Sequence, residues 1–156
     1  MQTEIIQRIA DKLRRANMIY IVGNGGSAAQ ADHFACDLLK GCNLPTISLC
    51  SNQALITSLA NDVDFSNVFT DQLKVLFRDG DVLIVLSTRG GSPNIVVAAK
   101  YVYLKQGGMV IGVAGFDGGE LKEWSHIFYH IDSYNMQICE DEMAKLCHEI
   151  YNYLRL

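Results

Sequence analysis

The sequence predicts an α/β fold, a three-layer doubly wound sandwich built around a five-stranded parallel sheet. Short β-branched runs alternate with longer amphipathic segments, which is the element order of βαβ units. Most of the short runs are apolar throughout, as expected for strands that are covered on both faces. Only two prolines occur in 156 residues, so little interrupts the periodic segments. Together these observations favour a parallel sheet between two layers of helices.

Five segments have the pattern of strands: residues 18–22, 46–49, 82–86, 109–113 and 127–131. Six segments have the pattern of helices: residues 3–15, 28–39, 53–60, 68–77, 94–105 and 136–154. A chain of this length with 49% apolar residues can bury one sizeable core. We therefore expect a single domain over residues 1–156, with an N-terminal helix, an α/β core over 18–132 and a C-terminal helix over 136–155.

Composition and charge exclude several classes of function. The net charge is −4, and the few cations do not form a stripe that could follow a nucleic-acid backbone. The longest apolar runs are far shorter than the ~20 residues of a membrane-spanning helix. The five cysteines are odd in number, without CxxC spacing or a preceding signal peptide. We expect a cytoplasmic protein with reduced thiols that binds neither nucleic acid nor membranes directly.

Ligands of a doubly wound sheet bind at the carboxyl ends of its strands, and the loops predicted there are rich in small polar residues. The residues of interest in the first and third loops are Asn24, Gly25, Gly26, Ser27, Ser87, Thr88, Arg89 and Ser92. In the third loop, hydroxyls, a guanidinium and glycines precede a helix start with Pro93 in its first turn, which suits a phosphate. The alternative is that Ser92 only caps the helix and the glycines only make a turn.

A nucleotide cofactor is not expected. The first loop is not a GxGxxG turn with a ribose-binding acid after the second strand, and no Walker lysine is present.

Five ordered motifs together resemble the sugar isomerase (SIS) domain and, within it, the phosphoheptose isomerases. They are GNGGS at 23–27, DHF at 32–34, SLAND at 58–62, STRGGSPN at 87–94 and GFDGG at 115–119. The resemblance covers nearly all of the chain from residue 18 onward. It implies a flavodoxin-like sheet, a homotetramer, and interconversion of sedoheptulose 7-phosphate with D-glycero-D-manno-heptose 7-phosphate through an enediol.

The resemblance also implies roles for individual residues. Its sugar-contacting positions fall on Asn24, Gly25, Gly26, Ser27, Asn61 and Asp62, and its phosphate-contacting positions on Ser87, Thr88, Arg89 and Ser92. Its zinc ligands fall on His33, Asp37, Glu140 and His148. Asp37 and His148 would be the catalytic base and acid, in an order that the sequence does not assign, and Asp37 and Glu140 would also contact substrate.

Spacing alone supports part of this ligand set. His33 and Asp37 are four residues apart, so they share one helix face, and both side chains are ordinary zinc ligands. Glu140 and His148 lie ~12 Å apart along a continuous helix. Their side chains must converge, the helix must begin later, or a neighbouring subunit must contribute. Without the resemblance, His33 and His148 read as packed histidines, Asp37 as a surface acid, and Glu140 as part of an acidic first helical turn.

Several positions depart from the family pattern, among them Gln137 and Met143, and three of them are site residues. Asp37 stands where the family has Glu, Glu140 where it has Gln, and Arg89 where it has Ser. The missing methylene withdraws the carboxylate at position 37 by roughly 1.5 Å, and misplacement near 1 Å can lower a rate ~10²-fold.

Two other functions are compatible with the sequence. One is a non-catalytic binding protein resembling the DnaA-initiator-associating proteins, which share the GFDGGEL sequence found here at 115–121. The other is an isomerase of a different phosphorylated sugar, which the changes at Asp37 and Arg89 would reflect. The joint presence of His33, an acid at position 37 and His148 favours an enzyme.

Overall fold

The computed structural model describes residues 2–156 and contains the five-stranded parallel sheet that the sequence predicts. Its strands are β1 (Ile19–Val22), β2 (Thr46–Ser48), β3 (Val82–Leu86), β4 (Met109–Ala114) and β5 (Ile127–His130). They lie in the order β2-β1-β3-β4-β5, and every neighbouring pair is parallel. All five predicted strands are confirmed, with ends that differ by at most one residue. This is the flavodoxin-like order, in which successive strands are added on opposite sides of β1, so that the strand order reverses between β1 and β3.

The three central strands, β1, β3 and β4, are apolar throughout because their two faces contribute to two different cores. In β1, Ile19 and Ile21 belong to one core, whereas Tyr20 and Val22 belong to the other. This alternation follows from the period-two geometry of a strand. Because both faces are buried, such a strand lacks the alternating polar residues of a strand with one face in solvent.

Within residues 2–156, six α-helices surround the sheet: α1 (Gln2–Arg14), α2 (Gly26–Cys36), α3 (Gln53–Asp62), α4 (Thr70–Leu76), α5 (Pro93–Tyr103) and α6 (Met136–Leu154). Helices α1, α2 and α6 supply Leu13, Phe34 and Leu146 to one core. Helices α4 and α5 supply Leu73 and Ile95 to the other. Helix α3 contributes no fully buried residue. Among residues 2–156, no helix combines the length and apolarity required to cross a bilayer.

Helix α2 differs from its predicted bounds at both ends. It begins at Gly26, two residues early, and after Cys36 it continues as one wider π-helical turn, Asp37–Gly41. The N–H of Asp37 still bonds to the carbonyl of His33, so these two residues keep the four-residue α-helical relation. The wide turn buries Leu38 completely and leaves Leu39 55% exposed. Single π turns inside helices often occur at functional sites.

Candidate active site

The first loop places a glycine turn at the N-terminus of α2. Gly25 has a φ of +55°, a left-handed conformation that favours glycine. A Cβ on Gly23 would lie 2.6 Å from the Ser27 carbonyl carbon, so the chain can pack this closely only without a side chain. The Ser27 N–H bonds to the Asn24 carbonyl at 3.0 Å. Gly25 and Gly26 are exposed as a result, and the helix behind them carries His33 and Asp37.

The third loop presents unused hydrogen-bonding groups at the N-terminus of α5. Ser92 occupies the N-cap position, but its hydroxyl makes no capping hydrogen bond, and Pro93 is the first helical residue. The Ser87 hydroxyl accepts the N–H of Gly90 at 2.9 Å, which shapes the loop. Thr88 is half-buried, and its carbonyl accepts the N–H of Gly115 in the fourth loop at 3.0 Å. The alternative in which the Ser92 side chain caps the helix is not observed, and its hydroxyl remains available to an anion.

A pair of asparagines joins the first and third loops. The Asn94 amide donates to Asn24 Oδ1 at 2.8 Å, and the Asn24 amide donates to Asn94 Oδ1 at 2.9 Å. Asn94 is only 1% exposed. Sequence reasoning did not single out Asn94 as a site residue. The available signal was an amide on an otherwise apolar, buried helix face directly after the polar loop.

Arg89 lies over an aromatic ring from the fourth loop. Its guanidinium carbon is 5.1 Å from the centre of the Phe116 ring, a cation–π contact. Phe116 has a φ of +53°, which is uncommon for a non-glycine residue. Its N–H donates to the Ser133 carbonyl at 2.8 Å, and its own carbonyl accepts from His130 Nε2 at 2.7 Å. These two hydrogen bonds stabilise the backbone conformation that puts the ring beneath Arg89.

His33, Asp37 and His148 form a compact cluster between α2 and α6. The two Nε2 atoms of His33 and His148 are 3.1 Å apart. Asp37 Oδ2 lies 3.4 Å from His33 Nε2 and 3.9 Å from His148 Nε2. Each imidazole side chain is 53% exposed, and the Asp37 side chain is 23% exposed. The cluster therefore joins two side chains separated by 115 residues and leaves one side open to a ligand.

The donor atoms of this cluster suit a divalent metal ion. The bonds of tetrahedral zinc to nitrogen and oxygen, ~2.0–2.1 Å long, separate neighbouring ligand atoms by about 3.3–3.4 Å. The three observed separations run from 3.1 to 3.9 Å, and all three donor atoms lie within 4.8 Å of one another. Two imidazoles and a carboxylate also match the three-ligand sets of catalytic zinc sites, whose fourth position is open. The residues present thus fit such an ion.

Glu140 lies at a different place from these three side chains. Helix α6 is continuous from Met136 to Leu154, so about 12 Å of helix separates Glu140 from His148. A Cβ on Gly26 would meet Glu140 Oε1 at 2.7 Å, which puts the Glu140 carboxylate against the N-terminus of α2. A negative charge is favourable there because of the helix dipole. The structure thus brings together three of the four ligands implied by the family resemblance, and Glu140 is not part of the cluster.

Asn61 and Asp62 are exposed at the C-terminal end of α3, where the Asn61 amide donates to Asp62 Oδ1 at 2.8 Å.

A cavity of about 180 Å³ separates the first loop from α3, and its lining includes Asn24, Gly25 and Ile56. A larger groove of about 650 Å³ between α1 and β5 includes none of the predicted site residues. The small cavity therefore adjoins the first loop.

Comparisons with known proteins agree with the fold and the motifs. The family model described as "SIS domain" matches residues 3–115. The chain is 38% identical over 136 residues to a phosphoheptose isomerase of Desulfovibrio desulfuricans, covering 84% of this chain and 64% of that protein. It is 43% identical over 110 residues to one of Halorhodospira halophila, covering 67% and 55%. This chain thus spans about three-fifths of the length of these relatives.

A solved structure agrees over a larger share of both chains. The phosphoheptose isomerase GmhA of Neisseria gonorrhoeae superposes with a TM-score of 0.89 at 28% identity, covering 98% of this chain and 84% of that one. The family-model match over more than two-thirds of the residues, together with this superposition, leads to one conclusion: the chain belongs to the SIS domain family.

Proposed function

We propose that this protein is an aldose–ketose isomerase of a sugar phosphate, with sedoheptulose 7-phosphate and D-glycero-D-manno-heptose 7-phosphate as its substrate and product. The observation that carries the proposal is the convergence of His33, Asp37 and His148 from two separate helices. A protein that only docks a partner needs no such cluster. The names of the relatives, all phosphoheptose isomerases, support the choice of substrate.

The phosphate binds at the third loop in this proposal. Ser87, Thr88 and Ser92 supply hydroxyl groups, Arg89 supplies a guanidinium, and the N-terminus of α5 supplies a favourable dipole. Arg89 makes no ion pair that would compete for its charge among the salt bridges found in residues 2–156. This loop therefore offers an anion both charge and directed hydrogen bonds.

The body of the sugar lies along the first loop, where Asn24, Gly25, Gly26 and Ser27 contact it. From Gly26 to His33, α2 rises by about 10 Å. A substrate that reaches from these loops to the cluster is extended, with its phosphate and its carbonyl at opposite ends. Glu140 beside Gly26, and Asn61 and Asp62 at the end of α3, are proposed to contact sugar hydroxyls along this path.

Asp37 and His148 carry out the proton transfers. One of them removes a proton from C1 of the ketose, which forms an enediol, and the proton returns at C2 to give the aldose. The other moves a proton from the C1 oxygen to the C2 oxygen, so that no atom is gained or lost. The Asp37 carboxylate and the His148 imidazole lie side by side in the cluster, so the two groups can serve neighbouring atoms of one substrate.

Zinc fits the cluster of His33, Asp37 and His148, and when bound it would polarise the substrate oxygens and stabilise negative charge on them. No nucleotide cofactor is needed for this reaction. We further propose a homotetramer, as the family resemblance implies, and a cytoplasmic location, which the cysteine pattern favours. The half-exposed imidazoles of His33 and His148 are compatible with cover by a neighbouring subunit.

The experiment that tests this function is an isomerase assay over a panel of phosphorylated ketoses, with and without added zinc. Sedoheptulose 7-phosphate is expected to react best, and His148→Ala is expected to abolish turnover while the circular dichroism spectrum stays unchanged. Asp32→Asn, an exposed acid outside the cluster, is the matched control and should keep full activity. Absence of turnover with every sugar phosphate, or full activity of His148→Ala, would overturn the proposal. Preferred turnover of another sugar would correct the substrate alone.

A further inference from the structure

Asn94 is a buried amide whose two observed hydrogen bonds both leave its own helix. The residue lies in the first turn of α5, directly after Pro93, and is 1% exposed. It donates to Asn24 Oδ1 at 2.8 Å and accepts from Asn24 Nδ2 at 2.9 Å. Leaving either amide without its partner in this environment would be unfavourable. The side chain is therefore matched to Asn24, which is 70 residues earlier in the sequence.

The pairing determines how Asn24 faces the first loop. The last side-chain torsion of an asparagine is broad and weakly restricted by itself. Two parallel hydrogen bonds to a buried partner hold the amide plane in one orientation. They also leave one N–H and one oxygen lone pair of Asn24 unused. Asn24 is partly exposed and lines the cavity beside the first loop, so this remaining donor and acceptor can face a ligand.

The same pairing ties two binding elements together. Asn94 follows Ser92 by two residues, so it belongs to the turn that is proposed to hold the phosphate. Asn24 belongs to the turn that is proposed to hold the sugar. A movement of either turn would break both hydrogen bonds. The pair therefore sets the spacing between the phosphate group and the sugar hydroxyls.

We infer that Asn94 is a positioning residue, which orients Asn24 toward the sugar and fixes the sugar turn relative to the phosphate loop. This inference rests on the proposed function. It requires an amide at position 94, because Asp has the same shape but lacks the N–H that Asn24 Oδ1 accepts.

The test is a double-mutant cycle of Asn24→Ala and Asn94→Ala, with Asn94→Asp as the variant of matched shape. In the wild-type background, either change at position 94 is expected to lower kcat/KM for the sugar phosphate about 10- to 100-fold. In the Asn24→Ala background, Asn94→Ala is expected to change it less than about twofold, because its partner is already gone. The cycle is measured in kcat/KM and also in the dissociation constant of the sugar phosphate, so it can be read even where turnover is lost.

Inhibition by inorganic phosphate separates positioning from damage to the helix. The inhibition constant of inorganic phosphate should stay within about twofold of wild type in both Asn94 variants, because the hydroxyls of the third loop remain. Val102→Ala, a buried truncation farther along α5, serves as a stability control: it should lower the melting temperature without changing kcat/KM.

The positioning role would be overturned if Asn94→Ala lowered kcat/KM equally in both backgrounds, or if it weakened inhibition by inorganic phosphate. In either case an active wild type would leave the proposed function intact. A wild type that neither turns over nor binds any sugar phosphate would overturn both.

Discussion

Metal binding at the cluster should raise the thermal stability of the protein by a calculable amount. An ion held by His33, Asp37 and His148 would link α2 to α6 in the folded state only. At a free zinc concentration 100-fold above Kd, binding stabilises the folded state by about 2.7 kcal/mol. For a chain of this size each kcal/mol raises the melting temperature by about 2–4 °C. We expect zinc to raise the melting temperature by about 5–11 °C relative to protein in a chelator, with about one ion per chain by elemental analysis.

Asp37→Asn tests the assignment of the ligand. The amide has the size of the carboxylate but lacks its charge. Removing a group that only supports a metal ligand already weakens metal binding by up to about 100-fold, so we expect a loss of about 100-fold in zinc affinity when a ligand itself is changed. At the same zinc concentration the stabilisation would then fall to about 0.4 kcal/mol, a shift below about 2 °C. Asp32→Asn removes the same charge from the exposed residue next to His33 and should retain the full shift. Wild-type protein without bound zinc, or equal shifts in the two variants, would refute the reasoning.

Three further outcomes are expected. Arg89→Ala should raise KM for the sugar phosphate about tenfold with kcat nearly unchanged, since one charge-assisted hydrogen bond is lost; an unchanged KM would contradict a phosphate role. Burial raises the pKa of the Cys147 thiol to about 12. Iodoacetamide at pH 8 should therefore modify the exposed Cys36 but not Cys147, which mass spectrometry can measure. Rapid labelling of Cys147 would contradict its burial. Burial, together with the charge of Lys12, lowers the pKa of His126, whose Nδ1 accepts the Val110 N–H at 3.0 Å. Because its pKa is lower in the folded state, the unfolded chain binds more protons, and the free energy of unfolding should fall as pH drops from 7.5 to 5.5. His126→Gln should weaken this pH dependence. The same pH dependence in wild type and variant would argue against a role for His126.

The strands and most helices could be predicted because their patterns are local. The strand at residues 82–86 is a run of five apolar residues whose short length and β-branched content favour a strand over a helix. The end of α2 could not be predicted in the same way. Whether residues 37–41 continue as an α-helix or widen into a π turn depends on the packing of Leu38 against the core, and periodicity does not distinguish the two.

The candidate site was only partly accessible to sequence reasoning. Helical spacing relates His33 to Asp37, but it carries no information about a side chain 115 residues away. The family resemblance supplied His148 as the third member, and the imidazoles do lie together. The position of Glu140 depends on how far α6 extends without interruption, and the pairing of Asn94 with Asn24 depends on how two loops approach. Both are tertiary features without a local pattern.

The location of His148 near the end of the last helix has a consequence for protein synthesis. A ribosome completes all five strands, which end at His130, before it adds residue 148. A chain that stops after β5 contains every strand of the sheet but only His33 and Asp37 of the cluster. The proposed metal binding and isomerase chemistry therefore depend on translation of α6, which supplies His148.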